Sequence, residues 1–297
     1  VSAPTVSGGR APRPIAQVVA SSRPLSWVNT AYPFGAAYLL AGGGLDAALV
    51  VGVLYFLVPY NLLMYGVNDV FDYESDLRNP RKGGVEGVVL DRTVHRVTIV
   101  AAVASNLPFL VALLVLGSTT SALVLGVCVA AVVAYSAPVL RFKERPLLDS
   151  VTSSTHFVGP ACFGLALAGA SPADHVAALA GFFLWGVGSH AFGAVQDIEA
   201  DRAGGIASVA TWLGAAGTVR LALAAYVVGG AVLLALPWPG LLSAVLVVPY
   251  VLNVAPYLRL TDGECERAHA GWRRFLWLNY VTGFLVTQLF IWVTLTA

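Results

Sequence analysis

Apolar runs of about twenty residues recur along this chain from Trp27 to Thr296, and each is long enough to cross a hydrocarbon core as a helix. Nothing constrains the fold more. In lipid every backbone N–H and C=O must find a partner inside the protein, so runs of this length demand helices. Charged residues are only 11% of the 297, against about 25% in an ordinary soluble domain. The pattern predicts an all-α membrane protein with nine transmembrane helices, at roughly 25–42, 47–68, 94–116, 119–137, 148–169, 174–196, 207–235, 240–258 and 273–295. The seventh is too long for one plain span, and a short interfacial piece around Thr211 and Trp212 is expected before a span proper starting near Thr218. No polar linker divides the chain, so 24–297 reads as one polytopic domain. Residues 1–23, rich in Pro, Ser, Gly and Arg without the apolar core of a signal peptide, read as a disordered cytoplasmic tail.

The charges test this count. All 17 Lys and Arg fall on one side of a nine-span chain, while the opposite connections near 41–45, 117–121 and 237–240 carry none. A missed or extra span would scatter them. The positive-inside rule puts that side, and the N-terminus, in the cytoplasm and the C-terminus outside, as expected of a multi-pass protein of the cell membrane. Of the 16 Asp and Glu, only Asp46 and Asp174 lie on the other side. A net charge of +1 argues against a nucleic-acid partner. Three scattered cysteines suggest neither a disulfide framework nor a CxxC metal site.

Two acidic clusters stand out on the charged side. Asn68, Asp69, Asp72, Glu74 and Asp76 end the second span, and Gln196, Asp197, Glu199 and Asp201 end the sixth. Helical residues four apart share a face, so Asn68, Asp72 and Asp76 align, as do Asp197 and Asp201. Like charges at that spacing repel, and the penalty grows where carboxylates lose water. A hard divalent cation relieves it, and Mg²⁺ characteristically shares its shell between carboxylates, water and phosphate oxygens. Two clusters facing each other can hold one Mg²⁺ each, bridged by a diphosphate. Recurrence at two helix ends four spans apart hints at a parallel duplication of a four-helix unit.

Basic residues suited to a diphosphate follow the acids: Arg78, Arg81 and Lys82 after the first cluster, and Arg141 and Lys143 after the fourth span. Cations there stabilise charge developing on a leaving group. Pro138 is expected to break the helix and return Arg141 and Lys143 over the membrane face. Tyr135 can donate to an oxyanion or face a carbocation with its ring. Inside the spans, His156 and His190 are the main polar groups. Each is either a packing residue or a base that removes a proton or orients water.

The pattern Asn68-Asp69-x-x-Asp72-x-x-x-Asp76, the later Asp197-x-x-x-Asp201, and Tyr135-Ser136-x-Pro138 followed by Arg141-x-Lys143 resemble the UbiA superfamily of intramembrane prenyltransferases. The resemblance implies helices ringing a central cavity, two Mg²⁺ ions and an allylic diphosphate donor. It implies metal ligation by Asn68, Asp72, Asp76, Asp197 and Asp201, and diphosphate binding by Arg81, Lys82, Arg141 and Lys143. Tyr135, Asp72 and Asp197 would be the catalytic residues. Within the superfamily, segments 21–27, 73–87, 141–146 and 153–157 resemble the actinobacterial lycopene elongases. That implies dimethylallyl diphosphate as donor and lycopene, reached sideways from membrane lipid, as acceptor, with C45 and C50 carotenoids as products. Two alternatives remain open from the residues alone: another acceptor, such as a quinone precursor or lipid headgroup, and an ion-coupled transporter, since intramembrane carboxylates serve both classes.

Overall fold

The computed structural model describes residues 14–77 and 88–296. Among them all regular structure is helical: α1 (Pro14–Ser21), α2 (Val28–Leu40), α3 (Ala47–Leu57), α4 (Pro59–Asn61), α5 (Val67–Phe71), α6 (Tyr73–Asp76), α7 (His95–Leu116), α8 (Thr119–Ser136), α9 (Leu148–Leu167), α10 (Val176–Val195), α11 (Ile198–Gly204), α12 (Val209–Leu233), α13 (Val248–Val254) and α14 (Ala268–Thr296), with short 3₁₀ turns between several of them. Seven helical stretches are long and apolar enough to cross a membrane, and each coincides with an expected span. The other two expected spans, 25–42 and 148–169, form α2 and α9. Helix α2 has only 13 residues, about 20 Å at 1.5 Å per residue. Helix α9 has 20 residues but carries Ser, Thr and His along its length. It packs against α2, α8 and α10, so protein rather than lipid surrounds it and its composition is released from the apolar rule.

Two apolar cores flank α9. One joins α2 to α8 through Phe34, Tyr55, Phe56 and Tyr60, with Phe163 of α9 inserted. The other joins α10 to α14 through Phe192, Tyr226, Tyr250 and Phe275. Gly164 lets α9 approach α2 closely: a Cβ there would lie 2.4 Å from the Phe34 carbonyl oxygen. Small residues at such contacts are how helices associate where no hydrophobic drive exists between them.

The second span is not one regular helix. Pro59 removes an N–H and clashes with the preceding turn, so α3 ends at Leu57. A π-turn over Leu62–Gly66 follows α4. Buried side-chain amides add hydrogen bonds to carbonyls on either side of the break. Asn61 Nδ2 donates to the Phe56 carbonyl at 2.7 Å, and Asn106 Nδ2 of α7 donates to the Pro59 carbonyl at 2.7 Å. Such rescue permits proline within a span. The wider π-turn also rotates every later side chain about the helix axis, which sets the direction of Asn68 and Asp72.

Helix α12 behaves as its length suggested. It is broken at Gly214, whose φ of 69° is left-handed. The piece before the break carries the capping box of Ser208 and Thr211 and the exposed Trp212, so the span proper restarts at Ala215, slightly earlier than expected. The N-terminal expectation needs correcting. Part of the segment read as a disordered tail is helix α1, whose Gln17 and Ser21 are buried, and Gln17 Oε1 accepts the Asp91 backbone N–H at 3.0 Å. Pro14 at a first helical position, before apolar Ile15, Val18 and Val19, is the local signal for it.

Candidate active site at the charged end of the bundle

The first acidic cluster lies where α5 passes into α6. Asp72 sits at the join with φ −95° and ψ 0°, the sparsely populated bridge region where many active-site residues are found. The second lies where α10 passes into α11, and Asp197 occupies its join with φ −96° and ψ −5°. In each, the aspartate four residues on donates its backbone N–H to the join: Asp76 to the Asp72 carbonyl at 2.8 Å, Asp201 to the Asp197 carbonyl at 2.8 Å. The two clusters thus share one backbone design. Asp76 is buried, while Asn68, Asp72, Asp197 and Asp201 are half-buried.

Cations converge on the first cluster. Helix α8 ends at Ser136, Ala137 is extended as a residue before proline must be, and the chain turns at Pro138 as expected. Arg141 then adopts a left-handed φ of 40°, a conformation that costs a non-glycine residue about 1 kcal/mol. The turn brings Lys143 into an ion pair with Asp72 and places Arg141 Nη2 3.7 Å from the same carboxylate oxygen. Lys143 Nζ also donates to Asn68 Oδ1 at 3.2 Å, and Ser136 Oγ donates to that oxygen at 3.1 Å. Burial pushes the Lys143 ammonium down to about 8, with the carboxylates of Glu144 and Asp69 acting in the opposite sense. Arg141 additionally pairs with Glu144.

Lys143 is informative about metal. Its ammonium shows that Asn68 Oδ1 and Asp72 Oδ1 point at one common position that attracts positive charge. Two hard oxygens converging on a cation fit the donor set Mg²⁺ requires. Among the described residues no three His, Cys, Asp or Glu side chains form a metal-binding group by themselves, so the pair would need further oxygens, as from a phosphate or water.

Tyr135 lies between the clusters. Its neighbour Ser136 reaches Asn68, while its own hydroxyl lies 3.3 Å from His190 Nε2 on α10, two turns before Asp197. Ser150 Oγ lies 3.0 Å from His190 Nδ1, and the His156 ring stands edge-on to Tyr135 with centroids 5.1 Å apart. Arg78, Arg81 and Lys82 lie outside the described residues.

Two site residues were missed in the sequence. Arg23, counted there only as a loop charge, pairs with buried Asp69 at 2.9 Å and lies over the Tyr65 ring at 4.5 Å. Asp149 is fully buried. It accepts the N–H of Val209 at 2.6 Å and that of Ser150 at 2.7 Å, tying the start of α9 to that of α12. A charged residue at the mouth of a serine-rich span was the available signal for Asp149. Nothing local marked Arg23.

Known proteins give this arrangement a context. The UbiA prenyltransferase family model matches residues 30–295. The chain is 50% identical over 275 residues to the lycopene elongase/hydratase of Corynebacterium glutamicum, covering 92% of this chain and 96% of that one. It is 56% identical over 277 residues to the C(50) beta-cyclic carotenoids biosynthesis protein LbtBC of a Dietzia species, covering 93% of this chain but only 64% of that longer protein. Among solved structures, a UbiA homolog from Archaeoglobus fulgidus bound to DMAPP and Mg²⁺ superposes with a TM-score of 0.65 at 18% identity, over 90% of this chain and 98% of that one. Shared fold, a match along nearly the whole sequence and paired acidic helix joins lead to one conclusion: the chain belongs to the UbiA prenyltransferase family.

Proposed function

We propose that this protein transfers dimethylallyl groups from dimethylallyl diphosphate to the ends of lycopene, forming C45 and then C50 carotenoids. The reading rests on a single structural observation, the convergence of Asn68 and Asp72 oxygens and of Lys143 and Arg141 on one position. The 50% identity to a lycopene elongase/hydratase along 92% of the chain supports the acceptor. Asn68, Asp72 and Asp76 on one side and Asp197 and Asp201 on the other hold two Mg²⁺ ions. When bound, these ions supply Lewis-acid stabilisation of charge on the diphosphate. Arg141 and Lys143, with Arg81 and Lys82, bind its oxygens, so that Lys143 leaves Asp72 for the substrate. Tyr135 lies beneath, positioned by His190, and presents its ring to the allylic carbon as positive charge develops. The C–O bond then breaks with its electron pair leaving on the diphosphate, and a terminal π-bond of lycopene attacks the allylic carbon. Bulk water must be kept from the cation, which it would otherwise intercept.

The charged end faces the cytoplasm of the cell membrane, where a soluble diphosphate reaches it, while lycopene enters from lipid. Expression in a lycopene-accumulating bacterium tests this, with the pigments read by mass spectrometry. Products heavier by one and two five-carbon units are expected. Unchanged lycopene beside an inserted protein that releases diphosphate in the presence of a quinone precursor would replace the acceptor. Mg²⁺-dependent release is not expected of an ion-coupled transporter, and its absence would favour that class.

A further inference from the structure

Coupling an alkene to an allylic cation leaves positive charge on a tertiary carbon of the acceptor, and the reaction ends only when a proton leaves a neighbouring carbon or a nucleophile adds. Two imidazoles, buried His156 and half-buried His190, are close enough to the Tyr135 ring to be considered. They differ in what their nitrogens already do. His190 is engaged at both, with Tyr135 Oη 3.3 Å from Nε2 and Ser150 Oγ 3.0 Å from Nδ1. The Ala131 backbone of α8 is the polar group that acts on the His156 imidazole. The Ala131 N–H serves the helix ladder, so the carbonyl is the group facing the ring, and it favours the proton on the nitrogen turned toward it. The other nitrogen, Nε2, is buried and has no hydrogen-bond partner, and His156 as a whole is 3% exposed. An unpartnered buried polar atom costs about 1–3 kcal/mol, and an expense of that kind calls for a role.

The tautomer follows from the partner. With the proton fixed toward Ala131, the lone pair sits on Nε2. Ala131 and Tyr135 are four apart on one face of α8, so the carbonyl that orients His156 and the ring that flanks it belong to the same helix face. His156 also lies seven residues into α9 from Asp149, about 10 Å further from the charged end at 1.5 Å per residue. On the prenyl-transfer reading, the acceptor's tertiary carbon, joined to the far side of the transferred group, would lie on that inner side.

We infer that His156 Nε2 is the base that ends the reaction. The C–H bond beside the tertiary cation breaks, its electron pair becomes the new C=C bond, and the proton passes to Nε2. The resulting imidazolium releases the proton to water as products leave. His190 is a positioning residue for Tyr135. This rests on the prenyl-transfer reading above.

The test is His156→Asn, in which the amide nitrogen takes the place of the imidazole donor toward Ala131 while the base is removed. Two quantities are measured with dimethylallyl diphosphate, Mg²⁺ and lycopene: diphosphate release, and carotenoid product resolved into alkene and hydroxylated forms. Diphosphate release within about threefold of the unmodified protein is expected, with the elongated alkene down about 100-fold, the scale of general-base catalysis, and the tertiary cation captured by water as hydroxylated carotenoid. Unchanged alkene would overturn the assignment and leave the departing diphosphate as the base. An unmodified protein that gives only hydroxylated carotenoid, or a parallel fall of release and product, would overturn it too. If His156→Asn does not accumulate in the membrane, His156→Gln is read by the same ratio. A wild-type protein releasing no diphosphate would instead defeat the prenyl-transfer reading, and this inference with it.

Discussion

The two acidic helix joins have the same backbone and different surroundings. Asp72 and Asp197 share bridge-region dihedrals to within a few degrees, and each receives the N–H of an aspartate four residues on. Four residues before the join, however, the first cluster has Asn68 and the second has Gly193, packed beneath Trp272. Protein cations reach the first cluster from two distant segments, Arg23 at Asp69 and the Arg141–Lys143 turn at Asp72. At the second, Arg202 follows directly in sequence yet pairs with Asp262 at 2.6 Å. Asp262 in turn accepts the Ala215 N–H at 2.6 Å, where α12 restarts after Gly214. Among the described residues, the first cluster is paired with cations from distant segments, while the loop beside the second also holds the broken helix together.

The largest effect should come from the shared element. Asp72→Ala and Asp197→Ala are each expected to lower Mg²⁺-dependent diphosphate release by at least about 100-fold, the scale of losing a preorganised electrostatic contact in a dry site, in protein that still inserts. Near-normal release from either variant would end the equivalence. Arg23→Ala comes next. It strips a buried carboxylate of its arginine, and breaking such a pair costs about 3 kcal/mol. A lower thermal midpoint in detergent is expected, with no comparable loss for Arg202→Ala, whose partner is exposed. Lys143→Ala should raise the KM for the allylic diphosphate about tenfold, as for one charge-assisted hydrogen bond. A selective fall in kcat would place Lys143 in the chemical step rather than in binding. Gly214→Ala should have the smallest effect on activity, although φ 69° with ψ 172° is essentially confined to glycine and costs about 1–3 kcal/mol of stability, with a Cβ 2.9 Å from Asp262 Oδ1. A stability loss with unchanged KM would show the Gly214–Asp262 link to be purely structural.

Much of this was legible along the chain because the forces concerned are local or additive. Hydrophobicity summed over about twenty residues places a span whatever its neighbours, so seven of the expected spans coincide with long apolar helices of the described residues. The i, i+4 spacing of Asp72 with Asp76 and of Asp197 with Asp201 follows from helix geometry alone, and the turn at Pro138 from one missing N–H. The break in α12 was anticipated from length, and its position at Gly214 awaited the left-handed dihedral. Helix α9 was expected as a span at 148–169, but its serines, threonines and histidine make it less apolar than the other spans, and they are accommodated because other helices enclose it.

Sequence by itself determined that this is a helical membrane protein, because bilayer solvation acts on each residue independently of its distant partners. Tertiary structure alone decided that Arg23 reaches Asp69 across 46 positions, that Lys143 and Asn68 meet at Asp72, and that His190 is engaged at both nitrogens while His156 keeps one free. Those outcomes depend on through-space distances of a few ångströms, set by a π-turn, a proline turn and a close α2–α9 contact acting together. Electrostatic and hydrogen-bond energies fall off so steeply with separation that no one-dimensional pattern records them.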